Sequence, residues 1–101
     1  MPRLAVTSYR TPGRLVPPRA ERLRARSVVL APGGIMPWHS TGRREELLLI
    51  IAGRLSLHIR RDRRIRSRQL YAGHAAFLPR ATPHQLVNTS RIPARYLYVT
   101  G

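Results

Sequence analysis

The chain has 101 residues, of which 43% are apolar, and it carries 19 basic residues against four acidic ones, a net charge of +15. This length and apolar content predict one compact domain with a hydrophobic core and exclude a disordered chain. The absence of cysteine excludes disulfides, thiolate zinc sites, iron–sulfur clusters and a cysteine nucleophile.

The basic charge has two interpretations. A basic surface can bind nucleic acid or another anionic partner. Every one of the basic residues is arginine, however. A phosphate-binding surface gains nothing by excluding lysine, so the absence of lysine favours a compositional bias that fills solvated positions with arginine. We therefore expect no nucleic-acid partner.

Residues 1–24 combine proline, glycine and arginine with only a short apolar stretch, Leu4 to Val6. We expect them to form an N-terminal arm or edge strand outside the main domain, which spans residues 25–101. Neither the N-terminus nor any other part of the chain has the apolar run of a signal peptide or of a membrane-spanning helix, which needs about 20 residues. The expectation is a cytoplasmic protein without membrane contact.

Short apolar segments separated by turn signals follow in the main domain. RSVVL precedes a turn at residues 32–34, IMPWHS continues as an extended segment, and residues 46–52 (ELLLIIA) are apolar without alternation. After Gly53 the segment LSLHI alternates, residues 60–63 suit a hairpin tip, and RIRSRQL, HAAFLP, HQLVN and ARYLYVT complete the pattern. Seven to nine short strands of this kind predict an all-β sandwich or barrel.

A helix over EELLLIIAGRL is the alternative for the central segment, because glutamate and leucine are good helix formers. Gly53 and the alternation after it favour a strand. In that strand Glu46, Leu48 and Ile50 share the inward face, so that Leu47, Leu49 and Ile51 point outward. An exposed apolar row of this size indicates a partner site. We therefore expect a homodimer.

Two of the four histidines, His39 and His84, are candidate metal ligands together with Glu46. Neutral imidazoles and a carboxylate form a ligand set for iron, manganese, nickel, copper or zinc ions. We expect surface or packing roles for the other two, His58 and His74.

The spacing around His39 and Glu46 follows a known pattern. Five residues separate Gly33 from His39, four separate Thr41 from Glu46, and six separate Glu46 from Gly53. This spacing resembles the first signature of the cupin superfamily, G(X)5HXH(X)3,4E(X)6G. The one departure is Thr41, which stands where the pattern has its second histidine.

A second segment resembles the other cupin signature, G(X)5PXG(X)2H(X)3N. Gly73, Pro79, His84 and Asn88 occupy its marked positions, and Ala81 replaces one glycine. The two signatures occur in the expected order.

The resemblance implies an all-β, single-domain cupin-type jelly-roll β-barrel over residues 25–101. It also implies that His39, Glu46 and His84 hold a divalent metal ion (iron, manganese, nickel or zinc) in the barrel. Two histidines and one carboxylate match the facial triad of non-haem iron oxygenases. They equally match a site that has lost its metal and kept its shape. Thr41 and Trp38 are the candidate pocket-lining residues, and for Trp38 a buried role that anchors the strand is the favoured interpretation.

Three functions follow from these residues. The first is a metal-dependent enzyme, a dioxygenase or isomerase acting on a small molecule, in which no catalytic residue beyond the ligands can be assigned. The second is a non-catalytic sensor or binding cupin that holds a small ligand without metal. A nucleic-acid-associated protein ranks last, because no DNA-binding motif accompanies the charge.

Overall fold

The computed structural model describes residues 3–101, which form nine β-strands. The strands are β1 (Gly13–Arg14), β2 (Arg24–Leu30), β3 (Ile35–Ser40), β4 (Glu46–Ala52), β5 (Arg54–Arg61), β6 (Arg64–Tyr71), β7 (Ala75–Leu78), β8 (Pro83–Val87) and β9 (Ala94–Thr100). No helix long and apolar enough to cross a membrane occurs in this part of the chain. The cytoplasmic location stays a prediction.

The strands form two antiparallel sheets. One has five strands in the order β1-β2-β9-β4-β7, and the other has four in the order β3-β8-β5-β6. Strands far apart in sequence, such as β2 and β9 or β3 and β8, are therefore neighbours in space. This arrangement confirms the predicted all-β jelly-roll barrel.

The hydrophobic core lies between the two sheets. Burying an aliphatic or aromatic side chain in such a core contributes about 1.5–3 kcal/mol relative to leaving it exposed. The residues of the core are Leu48, Ile50, Leu55, Leu57, Leu70, Leu78, Leu86, Ala94 and Tyr96.

The side chains of strand β4 point inward and outward in turn, as predicted. Leu48 and Ile50 are buried, whereas the side chains of Leu47 and Ile51 are 38% and 37% exposed. At its end Gly53 has a φ of +74°, and a Cβ there would lie 2.7 Å from the carbonyl oxygen of Pro93. Only glycine fits this bend, which separates β4 from β5. The segment is therefore two strands, as predicted, and not the alternative helix.

The N-terminal arm pairs with the edge of the five-stranded sheet through β1 and β2. The Ser27 hydroxyl donates a hydrogen bond of 2.8 Å to the carbonyl oxygen of Tyr9. Ser27 is 1% exposed, so the arm covers the outer side of β2 at this point. Residues 1 and 2 of the predicted arm lie outside the described residues.

Candidate metal centre

Three strands bring the candidate ligands together. His39 lies near the end of β3, His84 lies directly opposite it on β8, and Glu46 opens β4 in the other sheet. One ligand atom from each residue falls within 4.8 Å of the others. Glu46 and His84 are buried and His39 is exposed, so the cluster sits at one end of the barrel with His39 toward solvent.

Backbone carbonyls fix the orientation of both imidazoles. Nδ1 of His39 lies 3.0 Å from the carbonyl oxygen of Pro37, and Nδ1 of His84 lies 2.9 Å from that of Thr82. Because a carbonyl oxygen only accepts, each Nδ1 carries the proton and donates it. This directs each Nε2 away from the backbone, the arrangement found for histidines that bind metals.

A close contact joins two of the three residues. Nε2 of His84 lies 3.1 Å from a carboxylate oxygen of Glu46. Burial lowers the pKa of His84, but the hydrogen bonds to Glu46 and Thr82 and the Glu46 charge outweigh it and raise the pKa above the usual value. A metal ion bound to both groups would have to displace any proton that they share.

A cavity of about 220 Å³ opens beside the cluster. Burial, followed by the charges of Glu46 and Tyr98, raises the pKa of Tyr96, so this phenol stays neutral at physiological pH. The lining combines apolar side chains with phenols and two of the candidate ligands. It consists of Met36, His39, Glu46, Leu48, Tyr96 and Tyr98.

Comparison with known proteins identifies the family. Residues 26–100 match the family model described as a cupin domain. The chain belongs to the cupin family. No curated protein matches the sequence.

Solved structures of similar fold include oxalate oxidase, one of them in complex with the substrate analogue glycolate. It is 26% identical with a TM-score of 0.72 over 77% of this chain, which spans 41% of the oxalate oxidase chain. A cupin 2 conserved barrel domain protein from Salinispora arenicola is 26% identical with a TM-score of 0.74 over 88% of this chain and 72% of its own. A Thermus thermophilus protein, 23% identical over 95% of this chain and 90% of its own with a TM-score of 0.75, shows the fold alone.

Trp38 packs on the face of β3 that points away from the cavity. Its ring lies 6.4 Å from that of His58 and 5.2 Å from the guanidinium carbon of Arg60, and it is not part of the cavity lining. The pairing register of β3 shifts between Met36 and His39. This bulge places Met36 and His39 on the cavity side although they are three residues apart, and it turns Trp38 to the other face.

Thr41 lies beyond the end of β3 and is not part of the cavity lining. Strand β3 ends at Ser40, so the alternation that would place Thr41 on the same face as His39 no longer applies. The Thr41 hydroxyl instead donates to the carbonyl oxygen of Pro79 at 2.7 Å and accepts from the amide of Thr82 at 3.1 Å. Both partners lie in the turn between β7 and β8.

Tyr96 and Tyr98 also line the cavity, and Tyr96 belongs to the core as well. The two are two positions apart on β9 and therefore share a face. Their position in the cavity follows from the register of β9 on β4, in which Tyr98 pairs with Leu48 and Tyr96 with Ile50. Nothing local in the sequence reveals that register.

Proposed function

We propose that this cupin binds one divalent metal ion through Nε2 of His39, a carboxylate oxygen of Glu46 and Nε2 of His84. Iron, manganese, nickel and zinc all accept such a ligand set. The observation that carries the proposal is the convergence of these three side chains, with both Nδ1 atoms held by backbone carbonyls. The donor set therefore fits a metal in type, number and orientation.

We further propose that the ion serves a reaction on a small molecule in the adjacent cavity, a dioxygenation or an isomerisation. A metal bound there would polarise a substrate oxygen or activate dioxygen. Met36 and Leu48 give the cavity an apolar wall that limits water, and the neutral phenol of Tyr96 can donate a hydrogen bond to a substrate oxygen.

The cavity size limits the substrate. Its volume of about 220 Å³ is below the 300–1,000 Å³ of pockets that hold drug-sized ligands. The similarity to oxalate oxidase, for which glycolate is a substrate analogue, makes small carboxylic acids the first compounds to test.

A non-catalytic cupin that binds a small ligand without metal is the second candidate. The observation that favours it is the contact of 3.1 Å between Glu46 and His84, which leaves both groups paired without any ion. Such a pair would hold the shape of the pocket in a protein that only senses or carries its ligand.

Calorimetric titration of chelator-treated protein with Mn²⁺, Fe²⁺, Ni²⁺ and Zn²⁺ tests the proposal. We expect one site per chain in the wild type and loss of that site in His84→Ala. His58→Ala is the matched control, because His58 bonds Gln85 and faces Trp38, and it should bind as the wild type does. Equal binding by His84→Ala, or no binding by the wild type, contradicts the metal site.

The substrate class is tested separately with Co²⁺-loaded protein. Glycolate should change the visible absorption of the bound Co²⁺ if a small carboxylate reaches the ion through the cavity. Protein that binds glycolate equally well with and without metal would support the second candidate.

The outer face of the five-stranded sheet supports a proposal about assembly. Leu47, Ile51 and Phe77 are exposed there, Phe77 by 60%, and Leu49 between them is half-buried. These residues lie on adjacent strands, because Leu47 pairs with Phe77. We propose that this apolar face, formed by Leu47, Leu49, Ile51 and Phe77, is the interface of a homodimer.

A further inference from the structure

The two positions at which this chain departs from the cupin signatures, Thr41 and Ala81, meet at one turn. Residues 79–82 connect β7 to β8, the strand that carries His84. The Thr41 hydroxyl uses both its donor and an acceptor lone pair on this turn, at the Pro79 carbonyl (2.7 Å) and the Thr82 amide (3.1 Å). Thr41 is therefore fully engaged outside the cavity.

The same turn holds a residue in an unfavourable conformation. Ala81 has a φ of +55°, a region in which the Cβ of an L-residue crowds the following carbonyl oxygen. Its amide donates a hydrogen bond of 2.8 Å to the carbonyl oxygen of Gly42. Together Thr41 and Gly42 bind three of the four residues of the turn, which is how a strained backbone conformation is maintained.

The turn is connected directly to the imidazole of His84. The carbonyl oxygen of Thr82 accepts from the amide of Thr41 at 3.3 Å and from Nδ1 of His84 at 2.9 Å. The position of that carbonyl keeps the Nδ1 proton of His84 in its hydrogen bond and sets where Nε2 points. A change in the turn therefore reaches the candidate ligand through two hydrogen bonds.

We propose that Thr41 is a positioning residue for His84 and that its hydroxyl compensates for alanine at position 81. The hydroxyl holds the turn in the shape that Ala81 resists, and the Thr82 carbonyl then accepts the Nδ1 proton of His84 and orients its ring. The two departures from the signatures act as a pair. The consequence for metal affinity rests on the proposed function, whereas the effect on the His84 ring does not.

A double-variant cycle of Thr41→Val and Ala81→Gly tests the pairing, with Thr41→Ser as the control that keeps the hydroxyl. Titration with Co²⁺ alone measures the dissociation constant. We expect Thr41→Val to weaken binding about tenfold, the lower end for removing an outer-shell partner of a metal ligand, and Thr41→Ser to change it little. In the Ala81→Gly background, where the turn needs no help, Thr41→Val should have a clearly smaller effect.

Nitrogen NMR of the His84 ring in metal-free protein gives the second measurement. The wild type and Thr41→Ser should show the Nδ1 proton held in its hydrogen bond to the Thr82 carbonyl, and Thr41→Val should lose this signature. If the wild type binds no Co²⁺, the proposed function fails and the ring signal alone decides the positioning role.

Unchanged Co²⁺ affinity and an unchanged ring signal in Thr41→Val would overturn the positioning role. Equal effects of Thr41→Val with alanine and with glycine at position 81 would overturn the pairing. Should Thr41→Val alone fail to fold, recovery of the fold by Ala81→Gly supports the proposal, and an unfolded double variant contradicts it.

Discussion

The two faces of strand β4 differ in what they contact. Toward the barrel interior, Glu46 pairs with His84, and Leu48 and Ile50 pack in the core. Toward the outside, Leu47 and Ile51 keep more than a third of their side-chain surface exposed. Residues that follow one another in sequence therefore belong alternately to the packed interior with its candidate site and to a partly exposed apolar face.

The difference shows that hydrophobicity alone does not separate core from surface in this strand. The inner face is closed by the other sheet, whereas on the outer face the arm lies over Ser27 of β2. The interior therefore specifies the fold and the candidate site, and the outer face is the surface proposed above as the dimer interface.

Removing a core side chain should have the largest effect. Leu48→Ala leaves a cavity at a fully buried position and should lower the free energy of unfolding by about 2–5 kcal/mol. Leu47→Ala, one residue away on the outer face, should change the monomer by no more than about 0.5 kcal/mol. Urea denaturation of both variants at low protein concentration checks the contrast, and similar losses would contradict the assignment of the two faces.

A charge on the outer face should separate the proposed homodimer. Leu47→Asp places an unpaired carboxylate in the interface and should raise the dimer dissociation constant more than about thirtyfold, the effect of losing a strong interface residue. Ile65→Asp is the control, because Ile65 is 57% exposed on the other sheet. Light scattering over a dilution series measures the change, and a monomeric wild type would refute the dimer.

Replacing Thr41 tests whether residue 41 belongs to the cavity or to the turn between β7 and β8. By the signature alone, Thr41→His supplies a missing ligand and should strengthen metal binding. In the structure residue 41 lies beyond the end of β3 and holds the turn at residues 79–82, so we expect affinity to fall about tenfold. Calorimetry with Zn²⁺ decides between the two, and tighter binding would show that residue 41 can face the cavity.

The smallest effect concerns the pH dependence of the metal-free protein. The pKa of His84 is raised above its unfolded value of 6.5, so the folded state binds this proton more strongly than the unfolded state. The resulting stabilisation is fully present below that value and disappears as the pH rises through the folded pKa. Glu46→Gln removes the charge that raises the pKa and should abolish this part of the pH dependence. Thermal melts in the presence of a chelator across neutral pH measure it, and identical profiles for both proteins would contradict the ion pair.

Most of the fold could be predicted from the sequence. The turn signals indicated seven to nine strands, the two signatures indicated the jelly roll, and the alternation of β4 assigned its faces correctly. The convergence of His39, Glu46 and His84 was expected from the signatures and not from the residues alone, because it depends on strands that are up to 45 positions apart in sequence.

The residues around the cavity were harder to predict than the strands. Alternation with His39 places Thr41 on the inward face, but it does not apply beyond the end of β3. Tyr96 and Tyr98 reach the cavity through the pairing of β9 with β4, a long-range register that local sequence does not encode. Bulges, strand ends and register are set by tertiary contacts, so they lie outside what a single sequence pattern can predict.

Anomalous diffraction from crystals of Mn²⁺- or Zn²⁺-loaded protein, measured at the absorption edge of the metal, tests the central claim most directly. We expect one strong peak per chain within bonding distance of His39, Glu46 and His84, with Thr41 still bound to the turn at residues 79–82. A peak located elsewhere, or an intact contact between Glu46 and His84 with no metal beside it, would contradict the metal centre.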